Sequence, residues 1–179
     1  MSFHKGFLVL AIFAVPLSLP VFGDGPVPKL GQPATPAEIA AWDIDIMIDG
    51  TGLPPGGGTA SAGQALYKVY CQTCHGPEGI GASADDLVGL EPLTSDWPDK
   101  TIGTYWPYAT TLFDFIRRSM PMTAPGSLSD DEVYAVTAYL LHLNGIIGAD
   151  EEMNARTLAN VSMPNRDGFI RVYSELSDH

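Results

Sequence analysis

The residues with the greatest chemical capacity stand together in the stretch CQTCH, which runs from Cys71 to His75. Cys71 and Cys74 are the only two cysteines among the 179 residues of the chain. Two thiols and an imidazole at this spacing can form a small disulfide loop, act as a thiol-redox pair, contribute to a zinc site or attach a haem. The surrounding sequence decides between these four kinds of site.

The disulfide, thiol-redox and zinc interpretations each meet a difficulty. A bridge between Cys71 and Cys74 would close a very short loop and constrain the unfolded chain little. A thiol-redox pair usually follows a strand in a βαβ unit, and no such unit is apparent here. Structural zinc sites use four ligands, and only His142 and His179 follow His75 as further imidazoles.

Covalent attachment of a haem accounts for every residue of the cluster. In a C-x-x-C-H motif the two thiols, here Cys71 and Cys74, bond to the haem as thioethers, and the following histidine, here His75, ligates the iron. The motif occurs once in the chain. We therefore predict one covalently bound haem c.

The opposite face of the iron needs a second ligand, and we predict Met120 in the stretch RRSMPM. Pro121 has a fixed φ and stiffens the loop that carries this methionine. Met122 is the rival candidate, Met163 is a more distant Met-Pro pair, and His142 is expected to pack within a helix. His/Met ligation raises the reduction potential and leaves no open position on the iron. We therefore expect an electron-transfer site, with a haem enzyme or sensor that has an open iron face as the alternative.

A helix should lead into the C-x-x-C-H motif. Ser61 and Gln64 form an S-x-x-Q capping box, which predicts a helix that begins near Ala62. Gly63 lies on the same face as Tyr67, four residues on, and the missing side chain would let another helix approach closely. The alternative is that Gly63 is only a weak position in the helix.

Two further helices are predicted downstream. Ser129 and Glu132 form a second capping box, and Asn144-Gly145 supplies a stop for the helix between them. The stretch TTLFDFIRR, residues 110–118, is typical of a shorter helix. Its buried side is predicted to carry Leu112, Phe113, Phe115 and Ile116. No convincing run of strands is present, so we predict an all-α fold with three to four helices around the haem.

Aromatic residues between the haem motif and Met120 are candidates for the haem pocket. Trp97, Tyr105 and Trp106 could line it, with an indole or phenol donating a hydrogen bond to a haem propionate. Ordinary core packing is the alternative for each ring.

The N-terminus indicates an exported protein, and the net charge indicates a protein that does not bind nucleic acid or anionic lipid. Residues 1–23 combine Lys5, an apolar run and a small residue at Gly23, the pattern of a cleaved signal peptide. An uncleaved anchor is the alternative, but two prolines interrupt the run. We therefore expect a periplasmic protein with no membrane association after cleavage. The net charge of −12 argues against binding to nucleic acid or anionic lipid through general charge.

The chain resembles the class I cytochromes c over residues 61–145, through GQALYKVYCQTCH, the Met-Pro pair and the capped final helix. A narrower resemblance covers residues 41–60, 102–121, 128–147 and 163–169, which include AWDIDIMIDGTGLPPGGGTA and MPNRDGF. These segments are similar to the cytochrome subunit of sulfane dehydrogenase in the Sox sulfur-oxidation system. They are equally similar to the cytochrome subunits of related molybdenum sulfite dehydrogenases.

The resemblance implies a division of labour between subunits. A separate molybdenum-cofactor subunit would oxidise the sulfur compound, and this chain would pass the electrons to a soluble cytochrome c acceptor. Cys71 and Cys74 correspond to the haem attachment, His75 to the proximal ligand and Met120 to the distal ligand. A free-standing electron carrier with another donor is the alternative.

The sequence pattern and the resemblance together give the expected domain organisation. We predict a signal peptide at 1–23, an extended Pro/Gly-rich arm at 24–60, a cytochrome c domain at 61–147 and a wrapping tail at 148–179. Apolar residues in the arm, such as Trp42, would lie exposed unless they pack on this domain or on a partner. Whether the arms bind a partner or their own domain is open at this stage.

Overall fold

The computed structural model describes residues 31–89 and 91–170, so the predicted signal peptide lies outside the described residues. Within the described part, six α-helices, two short strands and one 3-10 turn follow in this order: α1 (Pro36–Trp42), β1 (Gly57–Thr59), α2 (Ala60–Tyr70), α3 (Gln72–His75), the 3-10 turn (Pro77–Gly79), α4 (Ala109–Ser119), α5 (Asp130–Leu143), β2 (Glu152–Asn154) and α6 (Ala155–Leu158). The predicted all-α class is confirmed. None of the helices in these residues is long and apolar enough to cross a bilayer.

The centre of the fold is the contact between α2 and α5. A Cβ built at Gly63 would lie 1.9 Å from the carbonyl oxygen of Ala135 and 2.8 Å from Cβ of Tyr139, so only glycine permits this approach. The rings of Tyr67 and Tyr139 pack beside it with centroids 5.4 Å apart. The predicted close helix contact at Gly63 is confirmed.

The start of α2 differs from the prediction. Thr59, not Ser61, is the N-cap, and its side chain accepts a hydrogen bond from the backbone N–H of Ala62. The predicted capping box of Ser61 and Gln64 is therefore wrong. The reason is that β1 holds the chain extended up to Thr59, so the helix begins where the strand ends.

The last long helix follows the sequence closely. Ser129 and Glu132 form the predicted capping box at the start of α5. The helix ends at Leu143, Asn144 is the C-cap, and Gly145 follows with a φ of +68°. Glycine adopts this left-handed conformation without steric cost.

Helix α4 is one residue longer at each end than predicted, and one of its four predicted core residues is misplaced. Leu112, Phe113 and Ile116 are buried, whereas Phe115 is 46% exposed. The ring of Phe115 packs edge-on against Trp106 with centroids 5.8 Å apart. Both residues line a cavity, so this face of α4 borders the cavity and not the protein core.

A two-stranded antiparallel ladder joins the predicted arm to the predicted tail. Gly58 of β1 pairs with Met153 of β2, and a Cβ at Gly58 would lie 2.3 Å from the backbone nitrogen of Ala135 in α5. The tail buries four large side chains in the core: Met153, Leu158, Val161 and Met163. The tail up to Met163 therefore packs on its own protein, and the core extends on both sides of 61–147.

Candidate functional site

A cavity of about 260 Å³ brings the chemically capable residues together. Cys71, Cys74 and His75 line it from the end of α2 and from α3, and Met120 lines it from the end of α4. Most of the remaining wall is apolar and comes from five segments of the chain. It includes Leu87, Ile102, Trp106, Leu112, Phe115, Ile116, Leu128, Val136 and Leu140.

The two cysteines do not form a disulfide with each other. Burial raises the pKa of the Cys71 thiol to about 11, and the nearby Cys74 adds to the increase. Cys74 is exposed and Cys71 is partly buried, and both line the cavity. In residues 31–89 and 91–170, no three or more His, Cys, Asp or Glu side chains are grouped so that they could hold a metal ion.

His75 is oriented by a hydrogen bond to a loop ten residues further along the chain. Its Nδ1 lies 2.8 Å from the carbonyl oxygen of Asp85. A carbonyl can only accept, so Nδ1 is the donor, and in the neutral imidazole Nε2 is then the nitrogen with the free lone pair. Iron-ligating histidines are held in this way, because the second hydrogen bond fixes both the tautomer and the ring.

The turn after His75 is also tied to α2. The backbone N–H of Gly81 donates to the carbonyl of His75 at 2.8 Å, and the Tyr67 hydroxyl donates to the carbonyl of Gly76 at 2.9 Å. Burial raises the pKa of Tyr67 to about 12, so this hydroxyl is a protonated donor at neutral pH. The imidazole is thus oriented by the loop that carries Asp85, and the turn that follows it is anchored to the buried Tyr67 of α2.

Replacing Tyr67 by phenylalanine is expected to destabilise the protein by about 1 kcal/mol, because the buried carbonyl of Gly76 loses its donor. Chemical denaturation of the purified protein measures this loss. Tyr70→Phe is the matched control, since Tyr70 is 45% exposed and lies on the same helix. Equal stabilities of the two variants would contradict a role for the Tyr67 hydroxyl.

The four candidates for the second ligand differ in whether they line the cavity and in how exposed they are. Met120 lines the cavity, and Met122 lines it too but is 76% exposed. Met163 is buried in the core and does not line the cavity. His142 also lies away from the cavity, with Nδ1 3.3 Å from the carbonyl oxygen of Ile147. Met120 and Met122 therefore remain as candidates for the second ligand. Met120 is favoured, because its side chain is less exposed.

The three predicted pocket aromatics are not brought together. Trp106 lines the cavity, but Trp97 and Tyr105 do not. Trp97 is 87% exposed, and Tyr105 packs edge-on against Phe169 of the tail with centroids 5.3 Å apart. Position in the chain alone predicts all three in the pocket, but the turn-rich segment around Trp97 directs its ring to solvent.

Several lining residues were not identified from the sequence. Tyr70, Asp86 and Lys100 belong to the wall, although no local pattern distinguishes them. Leu87 and Ile102 reach the cavity because the backbone N–H of Ile102 donates to the carbonyl of Leu87 at 3.3 Å, which joins the loops on this side. Such a loop–loop contact has no sequence signature.

The residues around the cavity fit a covalently bound haem. Two thiols and an imidazole with a free Nε2 lie on one side, a thioether lies in the same cavity, and the wall between them is largely apolar. A bound haem would supply one-electron redox chemistry. The donors are those of the His/Met cytochromes.

Comparison with known proteins agrees with this chemistry. The family model described as cytochrome c oxidase, cbb3-type, subunit III matches residues 58–140. The thiosulfate dehydrogenase of Stutzerimonas stutzeri is 34% identical over 89 residues, which are 49% of this chain and 28% of that protein. The thiosulfate dehydrogenase of Allochromatium vinosum is 35% identical over 82 residues, 44% of this chain and 29% of that protein. The chain thus spans less than a third of the length of these enzymes.

A solved structure gives a longer match. The crystal structure of the sulfane dehydrogenase SoxCD from Paracoccus pantotrophus contains a chain that superimposes with a TM-score of 0.77 at 39% identity. The match covers 85% of this chain and 76% of that chain. The chain therefore belongs to the class I cytochromes c, in the family that includes the cytochrome subunit of sulfane dehydrogenase.

Proposed function

We propose that this protein is a periplasmic monohaem cytochrome c that takes electrons from a molybdenum-cofactor subunit during oxidation of a sulfur compound. It would then pass them to a soluble cytochrome c. The observation that carries the proposal is the single cavity that gathers Cys71, Cys74, His75 and Met120. The likeness over most of its length to a chain of SoxCD supports the choice of donor.

The residues of the cavity suit electron transfer better than bond chemistry. The thiols of Cys71 and Cys74 would bind the haem covalently, and His75 and Met120 would ligate its iron. With both ligands bound, no substrate could reach the iron. The apolar wall excludes water and so keeps the dielectric constant around the haem low.

The N-terminal arm offers a surface for the donor subunit. Helix α1 buries none of its residues, although Thr35 and Glu38 cap it fully. Trp42 is 87% exposed and Ile39 is 53% exposed on this helix. Exposed aromatic side chains of this kind are enriched among the residues that contribute most to protein–protein affinity. We therefore assign α1 to the contact with the molybdenum subunit.

Replacing Trp42 by alanine is expected to weaken binding to the molybdenum subunit about tenfold or more, the loss typical of an aromatic anchor. Titration of the purified subunit against the labelled cytochrome measures the affinity. Trp97→Ala is a matched control, because Trp97 is equally exposed at 87% and lies outside the arm. If both variants bind as tightly as the wild type, α1 is not the contact.

A second candidate function follows from the relatives named thiosulfate dehydrogenase. In that case the haem domain would itself act on thiosulfate, which requires an iron with an open or labile face. Carbon monoxide added to the reduced protein discriminates the two functions. Ready binding at neutral pH would favour the enzyme, and refusal would favour the closed His/Met carrier.

Purification of the protein from its native host tests the proposed function as a whole. Molybdenum and haem c should elute in one peak, in the periplasmic fraction, and sulfite or thiosulfate should reduce the haem. A haem peak without molybdenum that is inert to both compounds would remove the dehydrogenase partner and leave a carrier with another donor.

A further inference from the structure

Two faces of α4 contact different parts of the protein, one the cavity and the other the N-terminal arm. Leu112, Phe115 and Ile116 line the cavity. Thr110, Asp114 and Arg118 are spaced four residues apart, so they share another face of the same helix. This second face contacts the N-terminal arm, because Arg118 and Thr110 both bond to it.

The contact between arm and helix is strongest at Arg118. Its Nη2 donates to Oδ1 of Asp45 at 2.7 Å, and its Nε donates to Oδ1 of Asp114 at 2.7 Å. One guanidinium thus joins the arm to α4 by two charge-assisted hydrogen bonds. At the other end of the helix, the hydroxyl of Thr110 donates to the carbonyl of Ile48 at 3.5 Å.

The arm segment that supplies Asp45 is itself held in place. The backbone N–H of Met47 donates to the carbonyl of Thr51 at 2.9 Å, which closes a loop directly after Asp45. Ile46 and Leu53, at the two ends of this loop, pack against the core. Asp45 is therefore a fixed partner for Arg118, although its side chain is 65% exposed.

Met120 stands where α4 ends, two residues after Arg118. It is the C-cap of the helix, and its backbone N–H donates to the carbonyl of Ile116 at 3.0 Å. On the side towards α5, Arg117 pairs with Asp130 at 3.0 Å. The helix end that carries Met120 is thus held from two sides, by the start of α5 and by the arm.

We infer that the loop of residues 45–53 holds the distal ligand Met120 against the iron through Arg118. Asp45 and Arg118 are positioning residues in this arrangement, because neither touches the haem site. The inference rests on the proposed ligation by Met120. It adds that the arm, which lies outside the predicted cytochrome c domain, keeps the sixth coordination position closed.

The test uses the full-length holoprotein with Asp45→Asn, which keeps the side-chain shape and removes the charge. Release of one exposed ion pair should raise the population with Met120 off the iron about two- to fivefold. The rate of carbon monoxide binding to the reduced protein should rise by that factor. The methionine–iron charge-transfer band of the oxidised protein should weaken in parallel.

Two further variants and one measurement distinguish a specific effect on the position of Met120 from a general loss of stability. Asp45→Glu keeps the charge and should restore both signals, and Asp43→Asn makes the same charge change two residues away and should leave them unaltered. The midpoint of thermal unfolding should stay near that of the wild type in all three. Asp45→Asn signals equal to those of the wild type, or an equal effect of Asp43→Asn, would overturn the inference.

The proposed ligation fails in a different and recognisable way. A wild-type protein without the charge-transfer band that binds carbon monoxide freely has no methionine on the iron. That result would overturn the ligation by Met120 and the positioning roles together. If the wild type does not bind carbon monoxide and Asp45→Asn gives the same signals as the wild type, only the positioning roles are overturned.

Discussion

Replacing Met120 by alanine is expected to open the sixth position of the haem iron. The reduced variant should bind carbon monoxide fully at neutral pH, whereas the wild type should not. The reduction potential should fall by about 100 mV or more, on a scale where axial ligands shift haem potentials over about 0.8 V. The reason is that a thioether stabilises the reduced iron, and neither alanine nor a water molecule replaces that effect. A redox titration with carbon monoxide spectra measures both changes.

Met122→Ala is the matched control for this experiment. Met122 lines the same cavity two residues on, but its side chain is 76% exposed. Its removal should leave the potential and the closed iron as in the wild type. If Met122→Ala opens the iron and Met120→Ala does not, the distal ligand is Met122 and not Met120.

Replacing Gly63 by alanine should destabilise the protein by about 2 kcal/mol or more. The new Cβ would lie 1.9 Å from the carbonyl oxygen of Ala135, so α2 and α5 must separate. Such overpacking costs about 1–3 kcal/mol, and more where backbone has to move. In an exposed helix the same substitution would stabilise by about 0.8–1 kcal/mol. A loss of stability, and not a gain, therefore indicates that α2 and α5 are in close contact at Gly63. Chemical denaturation measures the free energy of unfolding.

The Gly63 variant should also disturb the haem site. Cys71 is the C-cap of α2, so a displaced helix moves the attachment thiols and His75 with it. Gln64→Ala is the control, because Gln64 is exposed on the same helix and its loss should stay within about 0.5 kcal/mol. A Gly63→Ala protein as stable as the wild type would contradict the close contact of the two helices.

Features that depend on neighbouring residues could be predicted from the sequence. The C-x-x-C-H motif, the Ser129 capping box and the stop at Gly145 each depend on a few consecutive residues, and the structure has the box and the stop as predicted. Met120 lines the cavity, because the loop before the last helix leads into it, and its role as iron ligand stays a prediction. Local chemistry and local hydrogen bonds leave a readable pattern.

Features that depend on distant parts of the chain could not be predicted. Strand β1 exists because β2 pairs with it from about a hundred residues away, and this pairing moves the N-cap from Ser61 to Thr59. Apolar periodicity cannot distinguish a side chain in the core from one at a cavity mouth, so it predicts a buried Phe115 where the structure has an exposed one. The direction of Trp97 depends on loop conformation, which periodicity does not encode.

The haem content of the protein decides most directly whether it is a covalent cytochrome c. The protein should be exported from a host that attaches haem c, denatured, and extracted with acidified acetone before its mass and haem spectrum are measured. We expect one haem per chain that stays with the polypeptide after extraction, and no such haem in the Cys71→Ser/Cys74→Ser variant. A polypeptide of unmodified mass, or a haem that the solvent removes, would contradict the site formed by Cys71, Cys74 and His75.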